Sequence, residues 1–316
     1  MQKILLRRET AIFAVAVVLI IYFSLRNQNF YSYANIITMV QYIAPIAVIG
    51  AGEVLVLVLA EIDLAAGQTF LISSWIVYLL WHEGGVPLGL AIILSLLCCL
   101  AIGAINGLIT VLLNVPSFVT TLGVYFSLLG IVLVFSGDNQ ADMPGVTGKF
   151  GLAFGINNWS EIGWGMAIVA VIWFVLKRTR FGVHVTATGG NLLAAAESGI
   201  PTKRVTVWCF MILAFGAGFI GIIDSIRIGS LDPAAPGTSE MFLAVSAAVI
   251  GGTALTGGRG TVLGTIIGAI VLGVLEDGFI LIGVSANAFI FAEGLVILVA
   301  MAVNVQLNRM ILRREK

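Results

Sequence analysis

Charged side chains are scarce in this sequence. They make up 10% of its 316 residues, against about a quarter in an ordinary soluble domain. With 59% of residues hydrophobic, too few polar groups remain to cover a water-exposed surface, and lipid must be part of the solvent. The mean hydropathy of +1.09 agrees. The 16 basic and 16 acidic residues cancel, so no excess positive charge exists to draw a nucleic acid. Histidine occurs twice, at His82 and His184, with no paired ligand or nucleophile near either in sequence. The three cysteines, Cys98, Cys99 and Cys209, all lie in apolar runs. An odd set without metal spacing is expected to pack as small buried hydrophobes, with no disulfide framework and no metal site. A phosphate-binding loop is also missing. Gly257-Gly258-Arg259-Gly260 lacks the Gly-Lys-Ser/Thr such a loop requires and falls between two apolar segments. The longest polar stretches, 137–162 and 177–204, are too short to fold alone, so residues 1–316 form a single membrane domain. No His, Ser or carboxylate constellation suggests a membrane-embedded enzyme.

What the chain has in abundance is apolar length. A hydrocarbon core of ~30 Å needs ~20 helical residues. Ten runs approach that length: 11–25, 36–60, 68–81, 88–113, 117–136, 163–176, 205–226, 241–256, 261–275 and 288–305. The first lacks a small-x-small cleavage site around Ser24-Leu25-Arg26-Asn27 and is expected to be a retained span. Several runs are short, and 241–256 and 261–275 can also be half-helices entering from one face. The fold class expected is all-α and polytopic, with eight to ten transmembrane helices, some short or discontinuous.

Basic residues near span ends stay in the cytoplasm. Lys3, Arg7 and Arg8 precede the first run, and Arg309, Arg313, Arg314 and Lys316 follow the last, which places both termini in the cytoplasm. Lys177, Arg178, Arg180, Lys203 and Arg204 bracket a middle loop on the same side. Ten spans, six before this loop and four after it, satisfy the parity. Arg259 then falls in a cytoplasmic turn, and the segment 137–162, with Asp138, Asp142 and Glu161 against Lys149, falls outside.

The middle loop, 177–204, is the most informative stretch. Phe181-Gly182 is followed by Gly189-Gly190-Asn191-Leu192-Leu193-Ala194-Ala195-Ala196-Glu197-Ser198-Gly199-Ile200-Pro201. Asn191 can cap a helix, Leu and Ala propagate it, Gly199 can adopt the left-handed terminal conformation, and Pro201 stops it. The expected product is a short helix outside the membrane that presents Ala and Glu197. It is either a structured connector or a docking element for a cytoplasmic partner.

These residues resemble the coupling-helix region of bacterial sugar permeases of the ribose, galactose and xylose ABC-importer type. Three further blocks follow the same family order. Glu61-Ile62-Asp63-Leu64-Ala65-Ala66-Gly67 resembles its Gly-x-Asp-Leu-Ser-Val-Gly signature. Asn106-Gly107 with Pro116-Ser117-Phe118-Val119-Thr120-Thr121-Leu122-Gly123 resembles the next block. Gly251-Gly252-Thr253-Ala254-Leu255-Thr256-Gly257-Gly258-Arg259-Gly260 resembles its Gly-Gly-Thr-x-x-x-Gly-Gly-x-Gly stretch. The resemblance implies an inner-membrane importer subunit for a monosaccharide or similar solute, paired with a second permease copy. It also implies two cytoplasmic ATPase subunits docked through Gly189, Gly190, Asn191, Ala194, Ala195, Glu197, Ser198 and Gly199, and an extracytoplasmic solute-binding protein. ATP and Mg would sit on the ATPase partners, with no cofactor or metal on this chain. Two positions depart from the family pattern: Ala65-Ala66 replaces Ser-Val, and Glu293-Gly294 replaces a basic residue before glycine. A branched-chain amino acid or nucleoside permease is the nearest alternative. An ion-coupled secondary transporter is the alternative of a different class.

Ionisable groups at membrane depth cost roughly 2.5–3.5 kcal/mol each on insertion scales, so they mark function or pairing. Glu53 and Asp63 are therefore candidate pathway residues, and the polar Asn106 is a third. Asp63 serves equally as a cap at a break between two runs, and Asn106 as interhelical glue. Asp224 and Glu293 lie nearer span ends and are expected to be solvated. Gly103 with Gly107, and Gly260, Gly264 and Gly268, recur every four residues and predict close helix packing.

Overall fold

The computed structural model describes residues 8–143, 151, 153–155, 159–233 and 237–285, together with 288, 290–292, 294, 295 and 298. The basic residues of both termini, Lys149 and Glu293 lie outside the described residues, as does most of the last apolar run.

Among the described residues, most of each apolar run is helical. The helices are α1 (Arg8–Arg26), α2 (Tyr33–Val58), α3 (Ala66–Tyr78), α4 (Leu88–Leu113), α5 (Ser117–Ser136), α6 (Ser160–Arg178), α7 (Arg180–Gly190), α8 (Leu192–Glu197), α9 (Thr202–Ile228), α10 (Gly237–Ile250) and α11 (Val262–Leu281). Among the described residues six of them, α2, α4, α5, α6, α9 and α11, are long and apolar enough to cross a membrane. A π turn, Leu79–Glu83, prolongs α3, so the two together cover residues 66–83, or ~27 Å at ~1.5 Å per residue.

The half-helix expectation divides. α11 has 20 residues and spans ~30 Å. α10 has 14 and stops at Ile250, although the apolar run continues to Thr256. Gly251 and Gly252 end it, the latter at φ +98°, where only glycine is free of strain.

α2 is the central helix. All of its residues from Ile43 to Val58 are buried, and it packs against α6, α9, α10 and α11. α9 in turn packs against α3 and α4. Small residues set these contacts. A Cβ on Gly103 or Gly107 of α4 would strike Phe210, Met211, Ala214 or Val207 of α9. One on Gly264 or Gly268 would strike the backbone of Gly251 or Ala247 at α10. Gly260 does not share that helical face. It lies before the Thr261 cap of α11, against Val54, Val58 and Thr253. Large apolar side chains such as Leu90, Ile93, Phe126 and Val134 point outward on α4 and α5, as a lipid-facing surface requires. Cys98 shares that exposure, contrary to expectation, while Cys99 and Cys209 are buried.

The connections sort to two ends. At one end the Gly258 N–H donates to the Val58 carbonyl at 2.7 Å, and the α4–α5 turn meets residues 61–64. Lys177 and Arg259 line one groove at this basic end. At the other end Asn27 Nδ2 donates to the Leu281 carbonyl at 2.8 Å. There β1 (Ala141–Asp142) pairs antiparallel with β2 (Ser230–Leu231), Ala141 opposite Leu231. This grouping follows the parity of the expected ten-span order.

Candidate functional site

The α7–α8 hairpin projects from the basic end. The α6–α7 corner needs a glycine, because a Cβ on Gly182 would collide with the Leu176 carbonyl. Gly189 packs against Val58 and Gly258, where again no Cβ fits, whereas Gly190 has open space beside it. Asn191 is extended, with φ −158°, and its Oδ1 accepts the Ala194 N–H at 3.1 Å. Six helical residues follow. Ser198 then returns its Oγ to the Ala194 carbonyl at 2.7 Å, and Gly199 takes φ +82° ahead of Pro201.

The face of α8 differs from the one expected. Ala195 is only 5% exposed and packs inward, while Leu192 and Leu193 are 58% and 75% exposed. Ala194, Ala196 and Glu197 are exposed beside them. Sequence reasoning missed the two leucines. The available signal was a Leu pair directly after a cap, on a helix too short to bury both. Next to the hairpin lies a groove of about 580 Å³, bordered by Val58, Lys177, Val183, Thr186 and Arg259.

Residues 59–65 join α2 to α3: the Leu59, Ala60 and Glu61 amides bond back to the Val56 and Leu57 carbonyls, and those of Ile62 and Leu64 turn to side chains. Ala60 takes φ +61°. Ser117 and Thr121 of α5 supply acceptors: the Ile62 N–H donates to Ser117 Oγ and the Leu64 N–H to Thr121 Oγ1, both at 3.0 Å. Asp63 Oδ1 accepts the Ala65 N–H at 2.9 Å, and both its oxygens accept from Asn106 Nδ2 at 3.1 and 3.2 Å. Three sequence blocks, at 61–67, 106–107 and 116–123, thus converge on one helix break. The fourth, 251–260, closes on the adjacent end of α2 through Gly258. Non-helical backbone at membrane depth is tolerated where protein groups satisfy it in this way. Glu53 sits one turn back in α2, 0% exposed, with the Asp63 amide and carboxylate as polar neighbours.

At the ribbon end a cavity of about 260 Å³ lies between α2, α3, α9 and α10. Its walls include Gln41, Tyr42, Pro45, Phe70, Asp224, Arg227, Asp232 and Glu240. Glu53, Asp63 and Asn106 do not line it. Arg227 contacts Glu161 of α6 at 2.6 Å and Asp224 at 2.5 Å. The expectation of a solvated Asp224 is thereby corrected, since it is ion-paired with a side chain 14% exposed. Glu161, assigned to the outer loop by its sequence position, is instead buried in the first turn of α6. The pair joins positions 66 residues apart (227 − 161), beyond the reach of local pattern. Among the described residues no group of three or more His, Cys, Asp or Glu could hold a metal.

Comparison with known proteins gives this arrangement a family. The profile of a family described as "Branched-chain amino acid transport system / permease component" matches residues 35–301. A ribose import permease of Haemophilus influenzae is 33% identical over 298 residues, 92% of this chain and 91% of that one. A xylose/arabinose import permease of Sulfolobus acidocaldarius is 31% identical over 312 residues, covering 96% and 86%. A D-allose transport system permease of Escherichia coli K12 is 29% identical over 301, covering 92% and 90%. No solved structure matches at a comparable level. Six membrane-length helices among the described residues, the four convergent blocks and matches along nearly the whole chain have one explanation: this is a multi-pass transport subunit, and it belongs to the permease family of these importers.

Proposed function

We propose that the chain is the membrane-spanning half of an ATP-driven importer that carries a monosaccharide or similar solute into the cytoplasm. ATP and Mg are bound and turned over on separate cytoplasmic ATPase subunits, an extracytoplasmic binding protein delivers the solute, and two permease copies enclose the path. The chain lies in the bacterial inner membrane with both termini and the α7–α8 hairpin in the cytoplasm, as the basic residues around the hairpin favour.

One observation carries the docking assignment. The capped helix α8 leaves Leu192 and Leu193 exposed within the segment flanked by Lys177, Arg178, Arg180, Lys203 and Arg204. Two large apolar side chains on a rigid hairpin are the anchors a partner pocket would bury. Gly189 ties the hairpin base to α2 and to the 251–260 loop, so force on α8 reaches the helix break directly.

The test is affinity recovery of the permease from gently solubilised native membranes. Leu193→Asp should abolish recovery of an ATPase and stop uptake, with membrane insertion unchanged. Ala195→Arg is the poorer probe, because the buried Ala195 makes its effect a folding effect. An ATPase that stays bound to the Leu193→Asp protein removes α8 as the docking element. Uptake that survives ATP depletion but collapses with an uncoupler makes the chain a secondary transporter.

A further inference from the structure

We infer that the groove beside α7 is a binding site for the phosphodiester headgroup of an anionic phospholipid, whose acyl chains run along the outer face of α6. This goes beyond the importer function and is independent of which solute is carried.

Charge is the first argument. Lys177, in the last turn of α6, and Arg259, in the segment before α11, line the same groove from positions 82 residues apart (259 − 177). Among the described residues no carboxylate lines it. Nor does either cation enter an ion pair or a side-chain hydrogen bond with a described residue. Arg227 makes the contrast plain, since two carboxylates hold it. A phosphodiester supplies the missing anion, which a guanidinium binds bidentately and an ammonium binds as a point charge.

Position is the second. The groove opens where two spans end, at Val58, the last residue of α2, and at Lys177, one residue from the end of α6. Span ends lie at the level of the phospholipid headgroups, and basic pockets between spans on the cytoplasmic side suit anionic ones. Gly182, Gly258 and Gly260 leave parts of the wall bare of side chains, so a branched headgroup finds room.

The apolar surface beside the groove distinguishes a lipid from a soluble phosphate. Val58, Leu176 and Val183 give the groove apolar sides. Phe174 lies one turn before Lys177 on α6 and Val171 one turn before that, and they are 54% and 61% exposed. An apolar track leading to two unpaired cations matches a molecule with a charged head and hydrocarbon tails. No residue of the docking helix α8 lines the groove, which separates it from the partner site proposed above.

The test is lipid binding by the full-length chain. The protein is purified in a neutral detergent, stripped of lipid, and titrated with phosphatidylglycerol or phosphatidylcholine of the same acyl chains. Bound lipids are counted by native mass spectrometry. Lys177→Gln and Arg259→Gln should each weaken phosphatidylglycerol about fivefold, and the double variant about 25-fold, with phosphatidylcholine unaffected. Lys177→Arg and Arg259→Lys should retain the lipid. Arg178→Gln with Arg180→Gln, exposed but outside the groove, should leave its affinity within about twofold. Melting in lipid-free detergent should be the same in all variants, which separates lost binding from lost folding. Equal affinity for the two lipids, or phosphatidylglycerol binding unchanged in the double variant, overturns the inference. So does release of the bound lipid by an equal concentration of inorganic phosphate, which marks a soluble-anion site. Loss of ATPase recovery in the double variant, with phosphatidylglycerol binding intact, assigns the two cations to the partner interface instead.

Discussion

Arg227 shows how much depends on single polar contacts in this chain. Its guanidinium lies between Asp224 and the buried Glu161, and so links α9 to α6 at the ribbon end. Removing one partner of a buried pair strands the other, at a cost of about 3–5 kcal/mol. Arg227→Met should therefore destabilise the protein by about that amount in detergent unfolding. Adding Glu161→Gln should recover most of the loss. A double variant no more stable than the single one would mean that the pair adds nothing beyond side-chain packing. Such pairings mark the limit of what sequence reveals. Asn191, Gly199 and Pro201 announce a helix start and stop because caps act over four residues. Glu161 and Arg227 announce nothing, since their meeting depends on how α6 and α9 cross. Ala195 was misplaced for a related reason: a six-residue helix has too few turns to disclose which face turns inward.

Among the elements, α8 is the smallest and the most dependent on its ends. An isolated helix of six residues cannot sustain itself, because nucleation is unfavourable and few hydrogen bonds follow. The Asn191 cap and the burial of Ala195 hold it in place. Replacing an Asn cap with Ala typically costs about 1 kcal/mol, whereas Gly costs a few tenths. In Asn191→Ala, amide exchange over residues 192–197 should accelerate about fivefold, and in Asn191→Gly less than twofold. Equal rates in the two variants would show that burial of Ala195 alone fixes the helix. The spans themselves were largely legible from apolar length. The exception is α10, whose run outlasts its helix because Gly251 and Gly252 stop it while remaining as apolar as their neighbours.

At the scale of the whole molecule, close backbone packing holds the helices together where lipid supplies no hydrophobic drive. Gly107 of α4 lies against Val207 of α9 with no room for a Cβ. Gly107→Leu should force the two helices apart and lower the melting temperature in detergent, with membrane insertion intact. Unchanged melting would show that the α4–α9 contact adapts. Gly264→Leu tests the α10–α11 contact in the same way, because Gly264 packs within the chain. The break between α2 and α3 has one more consequence, this time for biosynthesis. Its amides at Ile62 and Leu64 are made long before Ser117 and Thr121, which lie 55 and 57 residues downstream. At ~5–20 residues per second that delay is about 3–11 s. Throughout this interval the Ile62 and Leu64 amides lack their native acceptors, and the break between the second and third spans acquires its final hydrogen bonds only when the fifth is made.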